Sequence, residues 1–477
     1  MDSDDFSPPG SNGPMPNCNG PVYPTLDDFV QMLRVHDAIG IKRPMSQKSD
    51  IEGHALAFAD DAARYPAAAS PDDAGLIAVA TGQRHTSINR GASPLLSALR
   101  DAEWLTQDRV TAFTRMLLLV LIGAVAISPW AVPEMNVGHD FAAFWTAARL
   151  ALEGRAGDAY GGAGSAAVAA VLGEKNYAPF FYPPTALLFW LPFALLPFVP
   201  AAALWLAATG AAYATAVRAV LKGGSIVPAL AFPAAWVCAL FGQNSLFSAA
   251  LLGGSAVTLD RYPVIAGALL GCLAYKPQLA LLAPLVLILT RRWRALAAAV
   301  ATTLVLVVAA TALFGIDAWR GFIGVLPAAS AWNIGGAPGF ETFASPYAAI
   351  RLLGGSSGLA WLVQLAAAAS AIGILVLTLR RRPGGAAEIA LMVVATGLCV
   401  PFFGNYEMVI LAIPGAWLIS EARADGWLPY ERAALAALYV TPFAMVPAGA
   451  NGLPLGPLAI VALTVLIVRR IRRLPRA

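Results

Sequence analysis

The feature that most constrains the fold is a series of long apolar stretches. The first covers about residues 117–132 and the last about 456–468, with short polar loops between them. A helix needs about 20 mostly apolar residues to cross the hydrocarbon core of a bilayer, and its backbone polar groups must be satisfied inside the membrane. The alternating pattern of a membrane β-barrel is absent. The stretches therefore predict an all-α polytopic membrane protein.

Composition and charge agree with this class. The 477 residues are 58% hydrophobic and 13% charged, whereas soluble domains carry about 25% charged residues. Residues 1–115 have a net charge of −5, and residues 116–477 have a net charge of +9. The basic excess lies mostly in short loops, where it sets membrane orientation. No basic helix with base-reading side chains is present, so we expect no nucleic-acid partner.

The sequence divides into two parts. Residues 1–108 are rich in turn-forming residues and predict a poorly structured cytoplasmic extension. One interpretation is a regulatory or docking tail. The alternative is a disordered extension that comes from a wrongly assigned start codon, since Met116 directly precedes the first apolar stretch. Residues 109–477 predict a membrane domain of about 12–13 apolar segments.

Arginine clusters predict the orientation of the chain. The runs at 291–294, 380–382 and 469–473 are expected on the cytoplasmic side. Counting back from them places the polar loop at 315–345 outside. The same count puts the loop at 134–180 on the cytoplasmic side, whereas the first apolar stretch puts this loop and Asp140 outside. One segment between 180 and 260 must therefore be re-entrant, or two must count as one. We suspect the pair around Gly242, since irregular backbone at membrane depth is tolerated only where it lines a cavity.

An acid lies in the first loop, at the start of a short helical pattern. Asp140 begins this pattern, and Gly154 is expected to end it. The apolar face recurs at helical spacing and consists of Phe141, Phe144, Trp145, Ala148 and Leu152. Such a helix can lie at the membrane surface with its apolar face in lipid. We therefore expect Asp140 at the boundary between water and membrane.

Four sequence blocks carry a family resemblance. They read GHDFAAFWTAARLALEG, FYPPTALLFWLPFALLPF, GQNSLFSAALLGGSA and AGALLGCLAYKPQLALLAPL, at 138–154, 181–198, 242–256 and 266–285. In this order they resemble glycosyltransferase family 87, which belongs to the GT-C membrane glycosyltransferases, over roughly 116–420. The resemblance implies a GT-C-type transmembrane helical bundle with an outer loop carrying amphipathic juxtamembrane helices. It also implies transfer of a hexose, with mannose favoured, from a polyprenyl phosphate to a lipid or glycan acceptor.

Asp140 matches the position of the catalytic base that the resemblance implies. A carboxylate within hydrogen-bond reach can take the proton of a sugar hydroxyl during displacement at the anomeric carbon. One acid suffices for a single displacement, because phosphate leaves without needing a proton. The alternative is that Asp140 caps its helix, since Asp is a favoured N-cap residue.

Three polar residues in apolar surroundings are candidate substrate ligands. Lys276 precedes Pro277 between two apolar segments, and the resemblance implies a lipid phosphate nearby that an ammonium would stabilise. The alternative is a lysine that snorkels at a helix end. Gln243 and Asn244 could bind sugar hydroxyls or instead hold helices together.

The remaining candidates come from the loops and from a later segment. Glu407 is the one acid of its segment and could bind sugar or hold Lys276. We also assign substrate contacts to Tyr182, Tyr406, Arg149 and Tyr160. No His/Cys cluster is present in the sequence, and no nucleotide-binding motif stands in the context it requires, so we expect neither a metal nor another cofactor.

The sequence thus predicts an enzyme of the bacterial inner (plasma) membrane with its active site on the outer face. The alternative is a polytopic transporter or lipid flippase, because transporters also contain broken helices near the middle of the membrane.

Overall fold

A computed structural model gives the fold of residues 94–131, 138–173, 178–381 and 383–474. Within these ranges the regular structure is helical, apart from an isolated antiparallel bridge between Phe343 and Gly404. The predicted all-α class is therefore confirmed. Most of the predicted extension, residues 1–108, lies outside the described residues, so its predicted lack of structure stays a prediction.

The first half of the described chain contains nine α-helices. They are α1 (Pro94–Asp101), α2 (Gln107–Ala131), α3 (His139–Leu152), α4 (Gly162–Leu172), α5 (Leu187–Ala194), α6 (Phe198–Leu221), α7 (Val227–Leu230), α8 (Pro233–Phe241) and α9 (Ser245–Thr258). Short 3-10 helices at Ala156–Tyr160 and Pro184–Ala186 connect some of them.

The second half contains nine more. They are α10 (Pro263–Cys272), α11 (Ala283–Leu289), α12 (Trp293–Ile334), α13 (Pro346–Leu352), α14 (Ser357–Leu379), α15 (Gly385–Cys399), α16 (Ala412–Asp425), α17 (Glu431–Ala450) and α18 (Leu455–Arg473). The 3-10 helices here are Leu273–Tyr275, Pro277–Ala280, Phe340–Thr342 and Asn405–Leu411. Among the described residues, α6, α12, α14 and α17 are long and apolar enough to cross a membrane.

Several loops meet at what we call the arginine-rich end, defined by Arg292, Arg381, Arg423 and Arg470. Arg423 donates to the carbonyl after α6, Arg381 donates to the carbonyl of Arg472, and Arg470 donates to the carbonyl that follows α16. The backbone N–H before α17 donates to the carbonyl of Arg100. These bonds place the start of the described chain, the end of α18 and the intervening loops together.

Three segments leave the arginine-rich end and return to it. We call them hairpin 1 (227–258, α7 to α9), hairpin 2 (263–289, α10 and α11) and hairpin 3 (385–425, α15 and α16). Arg292 joins their bases, because its guanidinium lies 2.5 Å from Asp260 Oδ1 and 3.2 Å from Glu388 Oε2. The apolar stretches predicted as separate spans in these regions are therefore arms of hairpins.

The hairpin arms are shorter than a full span. The α9 arm has 14 residues and the α15 arm has 15, which at 1.5 Å per residue is about 21–23 Å. A bilayer core is about 30 Å thick. The three turns therefore lie short of the far end of the long helices, and their irregular backbone is surrounded by protein, as membrane depth requires.

The parity conflict in the sequence resolves at the segment containing α5. Its beginning lies against α3, where the rings of Tyr182 and Phe144 have centroids 5.1 Å apart. Its end also lies against α3, where Trp145 Nε1 donates to the carbonyl of Leu196 over 3.0 Å. This segment therefore does not connect the two ends of the bundle. The pair around Gly242 forms hairpin 1, and a hairpin does not change the count, so its suspected re-entrant position in the membrane stays a prediction.

The predicted lipid-facing orientation of α3 is wrong. Phe141 and Phe144 are 0% and 2% exposed. Phe144 stacks on Trp190 with a centroid distance of 4.3 Å, and Phe141 lies 6.0 Å from Phe198. Such aromatic pairs contribute about 0.5–1.5 kcal/mol each beyond the burial of their area. The apolar face of α3 thus packs on protein aromatic rings, which fixes the helix rigidly in the bundle.

Candidate active site

The start of α3 is docked on the turn of hairpin 1. The backbone N–H of Gly138 donates to the carbonyl of Leu240 over 2.8 Å. Gly242 has φ +69°, and a Cβ atom there would lie 2.6 Å from the Cβ of Phe141. Only glycine combines this left-handed conformation with so close an approach. The two backbones therefore meet next to Asp140 on α3 and Gln243 in the turn.

The carboxylate of Asp140 is held by side chains. Gln243 Nε2 donates to Asp140 Oδ2 over 2.6 Å, and His139 Nδ1 lies 3.1 Å from Asp140 Oδ1. The N-cap residue of α3 is Gly138, and no side chain caps the helix. The capping alternative for Asp140 is thus not observed. The side chain keeps 21% of its surface exposed, so a substrate hydroxyl has access to it.

Lys276 and Glu407 bring the turns of hairpins 2 and 3 to the same point. Lys276 Nζ lies 2.7 Å from Glu407 Oε1 and donates to Asn244 Oδ1 over 3.1 Å. The other oxygen of Glu407 accepts the backbone N–H of Gly404 over 2.9 Å. Both charged side chains are nearly inaccessible, at 3% and 4% exposure. The ion pair and the hydrogen bond to Asn244 therefore join all three hairpin turns. Holding Lys276 is one of the two roles that the sequence analysis predicted for Glu407.

Two tyrosines lie beside this ion pair. Lys276 Nζ lies 5.9 Å from the ring centroid of Tyr182 and 5.5 Å from that of Tyr406, within the range of a cation–π contact. Tyr160 donates its hydroxyl to the carbonyl of Tyr182 over 2.9 Å. Burial raises the pKa of the Tyr160 phenol, so this donor stays protonated. Tyr182 and Tyr406 thus cover Lys276, whereas Tyr160 supports Tyr182 from behind.

The predicted contact residue Arg149 does not join the cluster. It is exposed, donates to the carbonyl of Ala194 over 3.3 Å and lies over the ring of Trp145. Arg149 follows Asp140 by nine residues, and nine steps of about 100° turn the side chain to the opposite face of a helix. It braces the turn between α5 and α6, while the other seven predicted binding residues lie in or beside the cluster.

The structure adds residues that the sequence analysis missed. Tyr275 lies directly before Lys276, and its hydroxyl is 2.5 Å from Ser248 Oγ and 3.2 Å from the carbonyl of Asn244. It therefore links hairpin 2 to hairpin 1 below the ion pair. A tyrosine next to a membrane-embedded lysine was a usable signal, but its partner Ser248 lies 27 residues away and has no local signature.

Two buried polar groups at the turn of hairpin 1 lack hydrogen bonds. Asn244 Nδ2 and Ser245 Oγ are buried and have no hydrogen-bond partner among the described residues. An unpaired buried polar group costs about 1–3 kcal/mol, so these two groups are candidates for binding oxygen atoms of a substrate. In the described ranges, no group of three His, Cys, Asp or Glu residues is arranged to hold a metal ion.

These features first identify the general class of the protein. The chain is a polytopic all-α membrane protein in which the turn of hairpin 1 holds an acid at the start of α3. The model of glycosyltransferase family 87 matches residues 180–401, from the approach to α5 to just after α15, so the family resemblance is confirmed over this part of the chain. The match supports a membrane glycosyltransferase in general. No curated protein and no solved structure matches the chain significantly.

Proposed function

We propose that the protein transfers a hexose from a polyprenyl-phosphate sugar to an acceptor hydroxyl, with Asp140 as the base. Mannose is the first sugar to test. The observation that carries this proposal is the placement of Asp140. Its carboxylate is partly exposed and accepts from Gln243 on the turn of hairpin 1, and the next residue, Asn244, accepts from Lys276 on the turn of hairpin 2.

The proposed reaction is a single displacement. Asp140 accepts the proton of the acceptor hydroxyl as that oxygen bonds to the anomeric carbon. The bond from the anomeric carbon to the phosphate oxygen breaks, and the electron pair leaves with the lipid phosphate. The proton then passes from Asp140 to water. The anomeric configuration inverts, because the nucleophile enters opposite the leaving group.

Lys276 is already paired with an acid, unlike a lysine that is free to bind a phosphate. Its charge is balanced by Glu407 at 2.7 Å, and a buried carboxylate opposes the approach of a second anion. The ammonium also lies 5.9 Å and 5.5 Å from the ring centroids of Tyr182 and Tyr406. The geometry supports a role of Lys276 in assembling the site, and its predicted contact with the leaving phosphate stays a proposal.

The depth of the site supports a lipid-borne donor. The hairpin turns lie about 21–23 Å from the arginine-rich end, which we assign to the cytoplasmic side of a bacterial inner membrane by its charge. A phosphate at that depth lies near the outer boundary of the hydrocarbon core. A lipid anchor reaches this position without leaving the membrane, so we place the reaction on the outer face.

The test is transfer of labelled hexose from polyprenyl-phosphate mannose or glucose in membranes, with wild type beside Asp140→Asn. We expect transfer by the wild type and a loss of about 10²–10⁴-fold in the variant at equal expression. Equal transfer by both proteins would remove Asp140 from the mechanism. Broken helices at membrane depth also favour a transporter or flippase. Absence of transfer together with movement of lipid-linked sugar across vesicles would establish that alternative.

A further inference from the structure

We propose that Gln243 is a positioning residue that fixes which oxygen of Asp140 accepts the proton; this inference rests on the proposed function. The sequence analysis placed Gln243 among the possible sugar ligands. In the structure its carboxamide is already engaged at both ends, and the base lies at one of them.

The orientation of the Gln243 carboxamide is fixed from behind. Its Oε1 accepts the backbone N–H of Asn244 over 3.2 Å and lies 3.5 Å from the hydroxyl of Tyr182. Both of these neighbours are donors, so the oxygen of the carboxamide must face them. The Nε2 group is thereby forced toward Asp140, where it donates over 2.6 Å. Gln243 is 5% exposed, which leaves little room for another orientation.

The consequence is an asymmetric carboxylate. Oδ2 of Asp140 accepts an N–H of the Gln243 amide, whereas Oδ1 contacts His139 Nδ1 at 3.1 Å, a nitrogen that donates only when it carries the proton. We assign proton acceptance to Oδ1 and orientation to Gln243.

The positioning extends to the ion pair. Asn244 supplies the backbone N–H that orients Gln243, and the side-chain oxygen of Asn244 accepts a hydrogen bond from Lys276, which Glu407 holds. The titratable groups around Asp140 are His139 in direct contact, Tyr182 beyond Gln243, Cys238 of α8, which donates to the carbonyl of Gln243, and the Lys276–Glu407 pair beyond Asn244. A pH profile of the reaction reports on this whole set.

The experiment measures kcat, the KM for the polyprenyl-phosphate donor and the pH profile of transfer for Gln243→Leu and Gln243→Glu. We expect kcat to fall about 10- to 100-fold, as for loss of a hydrogen bond to a charged group, with donor KM changed less than about twofold. The pH profile should differ from that of the wild type in both variants, because each replaces the amide that contacts Asp140 Oδ2.

Gln364→Leu is the matched control. Gln364 is equally buried, accepts the backbone N–H of Tyr347 and donates to two carbonyls at the end of α15, away from Asp140. Its loss should lower the melting temperature without moving the pH profile. A Gln243 variant that folds and keeps the wild-type profile and kcat would overturn the positioning role while leaving the proposed function intact. An increase in KM alone would return Gln243 to sugar binding. A wild type without any transfer would overturn both.

Discussion

At the scale of single residues, Lys276 and Glu407 allow a test of whether their ion pair only assembles the site or also takes part in the reaction. Removing one partner of a buried ion pair destabilises the folded protein by about 3–5 kcal/mol, because the other charge is left unpaired. Replacing both partners by apolar residues avoids that cost. The pair joins the turns of hairpins 2 and 3, so its loss should first disturb the arrangement of the site.

We therefore predict that Glu407→Gln lowers thermal stability more than the double variant Lys276→Met with Glu407→Leu. Thermal unfolding in detergent measures the difference, and transfer activity is measured on the same preparations. A double variant that is stable but inactive would mean that the charge of Lys276 acts in the reaction. A double variant with near-normal transfer would restrict the pair to assembly.

The sequence predicted most of the residues that meet in the candidate site but few of the contacts between them. Asp140, Gln243, Asn244, Lys276 and Glu407 were recognisable because polar side chains within apolar segments are costly unless they have partners. Their hydrogen bonds were not recognisable, since the partners lie up to 131 residues apart. The orientation of Gln243, for example, depends on a backbone N–H that no residue pattern encodes.

At the scale of elements, the turn of hairpin 1 depends on Gly242. The residue combines φ +69° with a Cβ position 2.6 Å from Phe141 and 3.1 Å from the Cα of Gly138. Any side chain there would push α3 away from the turn and separate Asp140 from Gln243. The contact therefore links the local backbone conformation directly to the geometry of the base.

We predict that Gly242→Ala reduces transfer by at least about tenfold, the effect of roughly 1.4 kcal/mol of misplacement. The control is Gly210→Ala in the middle of α6, where an added Cβ meets nothing within 4 Å. That change should be neutral or stabilising by about 0.5–1 kcal/mol. Both variants are compared by transfer rate and melting temperature, and equal activity of the two would contradict the proposed role of the turn.

Hydrophobic patterns located the elements but misjudged two relationships between them. The face of α3 formed by Phe141 and Phe144 is apolar whether it meets lipid or aromatic rings, so the pattern could not distinguish the two. Arms of about 14 residues also look like short spans, and pairing of two arms leaves no local mark. What decided both questions was tertiary contact with Trp190 and with Arg292.

At the scale of the whole molecule, the course of the chain makes a topological prediction. The segment containing α5 stays at the end where α3 lies, so α6 alone separates the loop before it from the loop after it. Asp158 and Lys222 should then lie on opposite sides of the membrane. If the α5 segment crossed the membrane as well, the two positions would lie on the same side.

The measurement is labelling of single cysteines, Asp158→Cys and Lys222→Cys, in a chain whose four native cysteines are replaced. A membrane-impermeant reagent applied to intact cells should label the first position and spare the second. Arg381→Cys at the arginine-rich end serves as the reference for the protected side. Labelling of Lys222→Cys from outside would contradict the fold of this region and the orientation of Asp140.

The common attachment of the hairpins gives the molecule an uneven stiffness. All three are joined at their bases by Arg292 with Asp260 and Glu388. At the other end, their turns are joined by the Lys276–Glu407 ion pair and by hydrogen bonds of Lys276 and Tyr275 to Asn244. If a substrate binds at the turns, we expect the turns to shift while the bases stay in place, which would keep the arginine-rich end closed during binding.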